Sequence, residues 1–169
     1  MFKMNFLKMR TRSSLRKNQS MRASIPYKQT KSVGIVFSVD DKQTRQDVKE
    51  FIRILELDGK QVKVLEFLPN KKENYDVLFD FFSIDDLSFW GKINSETADN
   101  FSKIGFDLLF YVDLNSNPLV LDLLARSKAH CRIGRYCEEE SPYFEMMIKQ
   151  EGTPKGLMET MYKYAKQLR

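Results

Sequence analysis

Histidine occurs once in this chain of 169 residues, cysteine twice and tryptophan once. A zinc site takes four Cys or His ligands, so this supply falls short of a self-contained one and no metal is expected. Two cysteines are also too few for a disulfide scaffold, and no secretory signal with an apolar centre is present. A reducing cytoplasm is the expected compartment. No apolar run approaches the roughly 20 residues of a spanning helix. Neither a G-x-G-x-x-G nor a Walker-type loop occurs, so the glycine cradle for a pyrophosphate is missing. No cofactor is expected, nucleotides included.

Acids are absent from the first 39 residues, the first being Asp40. Nine of the 28 bases lie in that stretch: Lys3, Lys8, Arg10, Arg12, Arg16, Lys17, Arg22, Lys28 and Lys31. The other 19 bases face all 23 acids, a net of −4, so the overall +5 describes a mildly acidic domain behind a basic arm. Any inference from positive charge to a polyanionic partner therefore belongs to the arm. The arm is taken as residues 1–30, part amphipathic helix or disordered, with a single domain over 31–169.

The first part of the arm is dense in apolar groups. Phe2, Phe6 and Met9 fall at helical spacing between Lys3, Lys8 and Arg10. From Thr11 on, Arg, Lys, Ser and Asn dominate. Four readings fit: a solvated terminus, an arm on RNA, an amphipathic helix on an anionic membrane, and an Arg- and Ser-rich presequence. In the RNA reading the contacts are Lys3, Lys8, Arg10, Arg12, Arg16, Lys17, Arg22 and Lys28. In the membrane reading Phe2, Phe6 and Leu7 enter the interface or a protein groove.

The domain alternates strands with helices. "SVGIVFSVD" is a short β-branched run, expected as a buried central strand. In "KQTRQDVKEFIRILELDGK", Val48, Phe51, Ile52 and Leu55 share a helical face and Gly59 suits the cap. "QVKVLEFL" is a second strand, "PNKKENYD" a polar loop, and Val77–Phe82 a short strand. Ile84–Ile93 is expected as a packed irregular segment with Trp90 in the core. Ser95 caps a short helix, "FDLLFYVD" is a buried strand, and Asn117-Pro118 opens another helix. "AHCRIG" and "YFEMMIK" are further strands, the last expected to be antiparallel. Thr153-Pro154 starts a closing helix with Leu157, Met161, Tyr164, Ala165 and Leu168 on one face. The pattern predicts an α/β fold: a three-layer Rossmann-like sandwich with a mostly parallel sheet.

Ligands of such folds sit outside the carboxyl ends of the strands. Asp40, Asp41, Asp85, Asp86 and Asp113 fall there and have the chemistry for Mg²⁺ or acid–base work, although Asp is also a common cap and turn former. "RSKAHCRIGRYCEEE" gathers the one histidine and both cysteines. On a strand Ala129, Cys131 and Ile133 face one side, His130 and Arg132 the other, which argues against a Cys–His pair. Cys131 is expected as a small buried hydrophobe. Arg132 and Arg135 remain as contacts for a phosphate or carboxylate, or as partners of nearby acids.

With its basic helix-like arm and "KSVGIVFSVDD", "FSIDDLSFWGKI", "FDLLFYVDLNSNPLVLDLLARSKAHCRIGRY" and "FEMMI", the chain resembles a family of uncharacterised bacterial proteins of the Bacteroidota. None of these stretches is a catalytic signature. The resemblance implies that the arm belongs to the mature protein. "ARSKAHCRIGRY" after an apolar helix is similar to a strand in the N-terminal half of heptosyltransferase-type glycosyltransferases. Those enzymes use a second Rossmann half, so this similarity implies fold rather than activity. The expected function is a non-enzymatic binding module held by its arm to ribosomal or other structured RNA. The alternatives are a peripheral membrane or envelope-machinery accessory and a small enzyme using the strand-end acids.

Overall fold

A computed structural model describes residues 1–39, 41–69, 79–150 and 152–169. Helix α1 (Phe2–Lys17) opens the chain. It is followed by β1 (Ser32–Ser38), α2 (Lys42–Leu57), β2 (Gln61–Leu68), β3 (Asp80–Ser83), α3 (Glu96–Lys103) and β4 (Leu108–Tyr111). Then come α4 (Pro118–Arg126), β5 (Cys131–Arg135), β6 (Met146–Ile148) and α5 (Pro154–Ala165). The strands form one parallel sheet in the order β3-β2-β1-β4-β5-β6. Helices α2 and α5 cover one face; α3 and α4 cover the other, with α1 packed on α4. This is the Rossmann-like three-layer sandwich.

Central β1 is buried on both faces, which is why it reads as a continuous apolar run. Val33, Ile35 and Phe37 join the α2/α5 core, while Val36 joins the α3/α4 core. The expected caps are in place. Asp41 accepts from Thr44 N, Ser95 from Ala98 N, Asn117 from Leu119 N and Thr153 from Gly156 N. Gly59 follows α2 at φ +77°, the left-handed stop expected of it.

Several expectations are corrected. Strand β6 runs parallel to β5, because Glu145 is tied to the start of β5. Glu145 N donates to Arg132 O at 3.0 Å, and the Glu145 carboxylate accepts from Arg132 N at 2.7 Å. The chain must return along the sheet before β6 begins. The side of α1 turned to the body carries Leu7 and Thr11, with Met4 partly buried and Asn18 at the C-cap, so Leu7 is not a surface contact. Two of these are polar and find partners on α4: Thr11 faces Asp122, and Asn18 donates to Ala125 O at 2.9 Å. Trp90 is 67% exposed rather than in the core. Tyr164 points outward on α5, and Tyr162 packs partly in its place. Ala129 precedes β5 and joins the α3/α4 core, while Cys131 and Ile133 lie on the α2/α5 side. Val77, Leu78, "NKKENYD" and Asp40 lie outside the described residues.

Residues 18–30 carry the chain from α1 past the amino ends of the strands. Ala23 N donates to His130 O at 2.9 Å, just before β5. The Lys60 ammonium, just before β2, donates to Tyr27 O at 2.7 Å and Thr30 O at 2.8 Å. Both ends of the basic segment are therefore fastened to the body.

Candidate functional site

Among the described residues, Asp41, Asp86 and Asp113 at the carboxyl ends of the strands are used within the fold. Asp41 caps α2, and the hydrogen bonds from Thr44 hold its carboxyl below the ordinary range. Asp86 closes a capping box with Ser83, accepting from Ser83 N at 2.7 Å. Asp85 is exposed beside it. Asp113 lies at the switch point between β1 and β4, where a Rossmann ligand would sit. It accepts from Ser38 N at 2.7 Å and Ser38 Oγ at 2.6 Å. Asn117 Nδ2 donates to Ser38 Oγ, and Tyr111 Oη contacts Asn115 and Asn117. The cavity left among Tyr111, Asp113, Arg135 and Glu140 is about 10 Å³, room for about one water.

Arg132 is also internal. Its guanidinium meets Glu145 twice, Nε at 3.1 Å and Nη2 at 2.7 Å, and donates to Leu124 O at 3.3 Å. Arg22, from the basic segment, bonds Ala129 O and Leu124 O and lies 3.8 Å from Glu145. Burial lowers its pKa to about 10, and Arg132 beside it adds to the effect. Arg22 is therefore a clamp rather than a surface base. His130 Nδ1 lies 3.2 Å from Met21 O. Cys131 is 1% exposed, and burial pushes its thiol up to about 12. Arg135 is half-buried at the small switch-point cavity.

What remains open is the surface around α1. Lys3, Lys8, Arg10, Arg12, Arg16 and Lys17 are all exposed, as is Lys28 beyond the helix. At 100° per residue, Lys8 and Arg12 occupy one flank, Arg10 and Lys17 the other, and Arg16 points away from α4. Lys8 and Arg12 line a cleft with Glu139 and Glu140. Arg10 and Lys17 line a hollow of about 290 Å³ with Ser13, Ser14, Lys92 and Arg126. Two carboxylates share that hollow, Asp99 and Asp122. Both pair with Arg126: Asp99 contacts Nη1, and Asp122 lies 3.3 Å from Nε. Thr11 Oγ1 lies 2.8 Å from Asp122 Oδ1 and 2.9 Å from Leu7 O, and its single hydroxyl proton serves one of the two. Burial pushes the Asp122 carboxyl up, against the pull of Thr11 and Arg126. Arg126 Nη2 is buried with no hydrogen-bond partner among the described residues.

The loop Leu87–Ile93 walls the same flank. Ser88 ties its ends, accepting at Oγ from Lys92 N at 3.0 Å and donating its N–H to Lys92 O at 2.8 Å. Gly91 sits at φ +70° against the backbone of α1, where a methyl group would stand 2.3 Å from Leu7 N. The tip presents Phe89 and Trp90, both exposed and edge-to-face at 5.2 Å. Phe6 meets Trp90 edge-on at 5.7 Å. Phe2 is also exposed, whereas Leu7, expected as a surface contact, is fully buried. Lys92, Arg126 and Phe89 are not among the residues singled out by the sequence, and Trp90 is expected there only as core. The signal was "SFWGK", two large aromatics beside a glycine and a base with no periodicity to bury them.

No group of three or more His, Cys, Asp and Glu able to hold a metal ion occurs among the described residues. No helix of the described residues is long and apolar enough to cross a membrane. Nothing among the curated proteins or the solved structures matches the chain. One family model, described as a family of unknown function (DUF6913), matches residues 3–168, a stretch that includes nearly all of α1. The chain belongs to that family.

Proposed function

We propose that the protein is a non-enzymatic binding module whose α1 surface holds structured RNA, ribosomal RNA included. The carrying observation is the way α1 is used. Its Leu7 stripe is consumed by α4, and six bases, Lys3, Lys8, Arg10, Arg12, Arg16 and Lys17, remain outward on both flanks and the crest. A fixed cationic ridge suits a phosphate backbone, which neutralises bases without regard to sequence. The filled crevice at the β1/β4 switch point supports a binding role over catalysis at the strand ends. Deleting the basic segment is a poor test, because Leu7, Asn18 and Tyr27 are part of the body. Neutralisation is the better one. The full chain should co-sediment with ribosomes at low salt, and the variant Lys3→Gln, Lys8→Gln, Arg12→Gln, Arg16→Gln should stay in the supernatant. A full chain that stays in the supernatant at low salt sinks the proposal.

A second reading, a peripheral membrane protein, is favoured by the exposed Phe2, Met9, Phe89 and Trp90 beside these bases. In that case anionic vesicles retain the full chain, and Phe2→Ala with Trp90→Ala releases it while the charges stay.

A further inference from the structure

The hollow and the aromatic loop tip lie along one flank of α1. Phe6, against Trp90, and Arg10, in the hollow, are four residues apart and so share a helix face. Their separation along the axis is about 6 Å. Lys92, two residues beyond Trp90, also lines the hollow.

The charge in the hollow favours an anion. Arg10, Lys17, Lys92 and Arg126 outnumber Asp99 and Asp122 by two, and both acids are already paired with Arg126. Ser13 and Ser14 add hydroxyl donors at the rim. Arg126 Nη2 is buried beneath the hollow without a hydrogen-bond partner among the described residues, so it contributes positive charge to the floor rather than a surface donor. The aromatic tip has different chemistry. Trp90 is 67% exposed at the end of a loop braced by Ser88 and Gly91, a large aromatic surface left open beside Phe6 and Phe89. Such a surface takes a nucleobase that is not already stacked in a helix.

We infer that this flank is a subsite for an unpaired nucleotide of RNA, with the base stacked on Trp90 and its phosphate seated among Arg10, Lys17, Lys92 and Arg126. This deepens the RNA reading and rests on it. The protein would then prefer loops, bulges and single strands to continuous duplex, and the rest of α1 would supply affinity indifferent to strandedness.

Trp90 is the chain's single tryptophan, so its emission reports on this subsite alone. The test titrates the full chain with a single-stranded RNA of about 12 nucleotides. A duplex of the same sequence, inorganic polyphosphate and phosphatidylglycerol vesicles are titrated in parallel. Single strand should quench the emission, duplex should bind with little quenching, and polyphosphate should bind with none. Trp90→Ala should weaken single-strand binding about 5- to 150-fold, the range set by losing one stacked base. Trp90→Phe should restore much of it, and Lys92→Gln should weaken it with the quenching retained. If single strand binds but leaves the emission unmoved, or binds Trp90→Ala as well as the unaltered chain, the subsite is wrong and the RNA reading stands. If neither RNA binds, both fall. A blue shift on vesicles without any response to RNA likewise overturns both in favour of the membrane.

Discussion

Replacing Leu7 by alanine tests whether α1 is a structural part of the domain. Leu7 is 0% exposed, in a core with Leu119, Val120, Leu123 and Phe106. Truncating a leucine so placed removes its transfer free energy and leaves a cavity, costing about 2–5 kcal/mol. Taking about 3 kcal/mol and a urea dependence of about 2 kcal/mol per molar, the midpoint should fall by about 1.5 M. Met9→Ala, at a side chain 65% exposed two residues away, should change stability by less than about 0.5 kcal/mol. Trp90 lies against Phe6 and reports the loss of α1 by fluorescence, while far-UV circular dichroism follows the body. The two transitions should coincide and shift together in Leu7→Ala. If Leu7→Ala matches Met9→Ala, α1 is a tethered appendage and the fixed cationic ridge does not exist.

Gly91→Ala places a methyl group against Leu7 N in a backbone conformation at φ +70°, so it should destabilise by about 1–3 kcal/mol or more, measured by the same urea titration. Glu145→Gln removes the counter-charge of Arg132, itself 3% exposed, and should cost about 3 kcal/mol; a loss below about 0.5 kcal/mol would show that the pair is not a clamp. Tyr27 and Tyr162 each donate to Asp58 at 2.7 Å, and these bonds, that from Tyr27 first, hold the Asp58 carboxyl below its ordinary 3.8. That contribution is present above pH 3.8 and is lost as the pH falls through the depressed value. Tyr27→Phe should therefore lower stability at pH 7 more than at pH 3, by urea midpoints at the two pH values; equal losses would contradict the linkage.

The fold was legible where local chemistry and tertiary role agree. Continuous apolar runs mark β1 and β4 because both faces are covered, and Asn117-Pro118 and Thr153-Pro154 mark helix starts because caps act locally. The direction of β6 was not legible, because a long-range clamp between Arg132 and Glu145 sets it. The docked face of α1 was hidden for a similar reason. Thr11 and Asn18 are polar, and only contact with Asp122 and Ala125 on α4 makes them interior. The bases of α1 were visible as candidates, but their division into surface residues and the clamp Arg22 was not. Residue type alone places Trp90 in the core, and the tight turn at Gly91 that lifts it outward depends on the backbone of α1 beneath.

The exposed bases of α1 are tested most directly by the salt dependence of binding to a folded RNA, followed by fluorescence anisotropy. If all six bases reach phosphates, the logarithm of the binding constant should fall with the logarithm of salt at a slope of about −4 to −5. Neutralising Lys8, Arg12 and Arg16 together should make that slope shallower by about 2 to 3 without shifting the urea midpoint. A slope near zero, or one unchanged by the triple neutralisation, would contradict α1 as the RNA-binding surface.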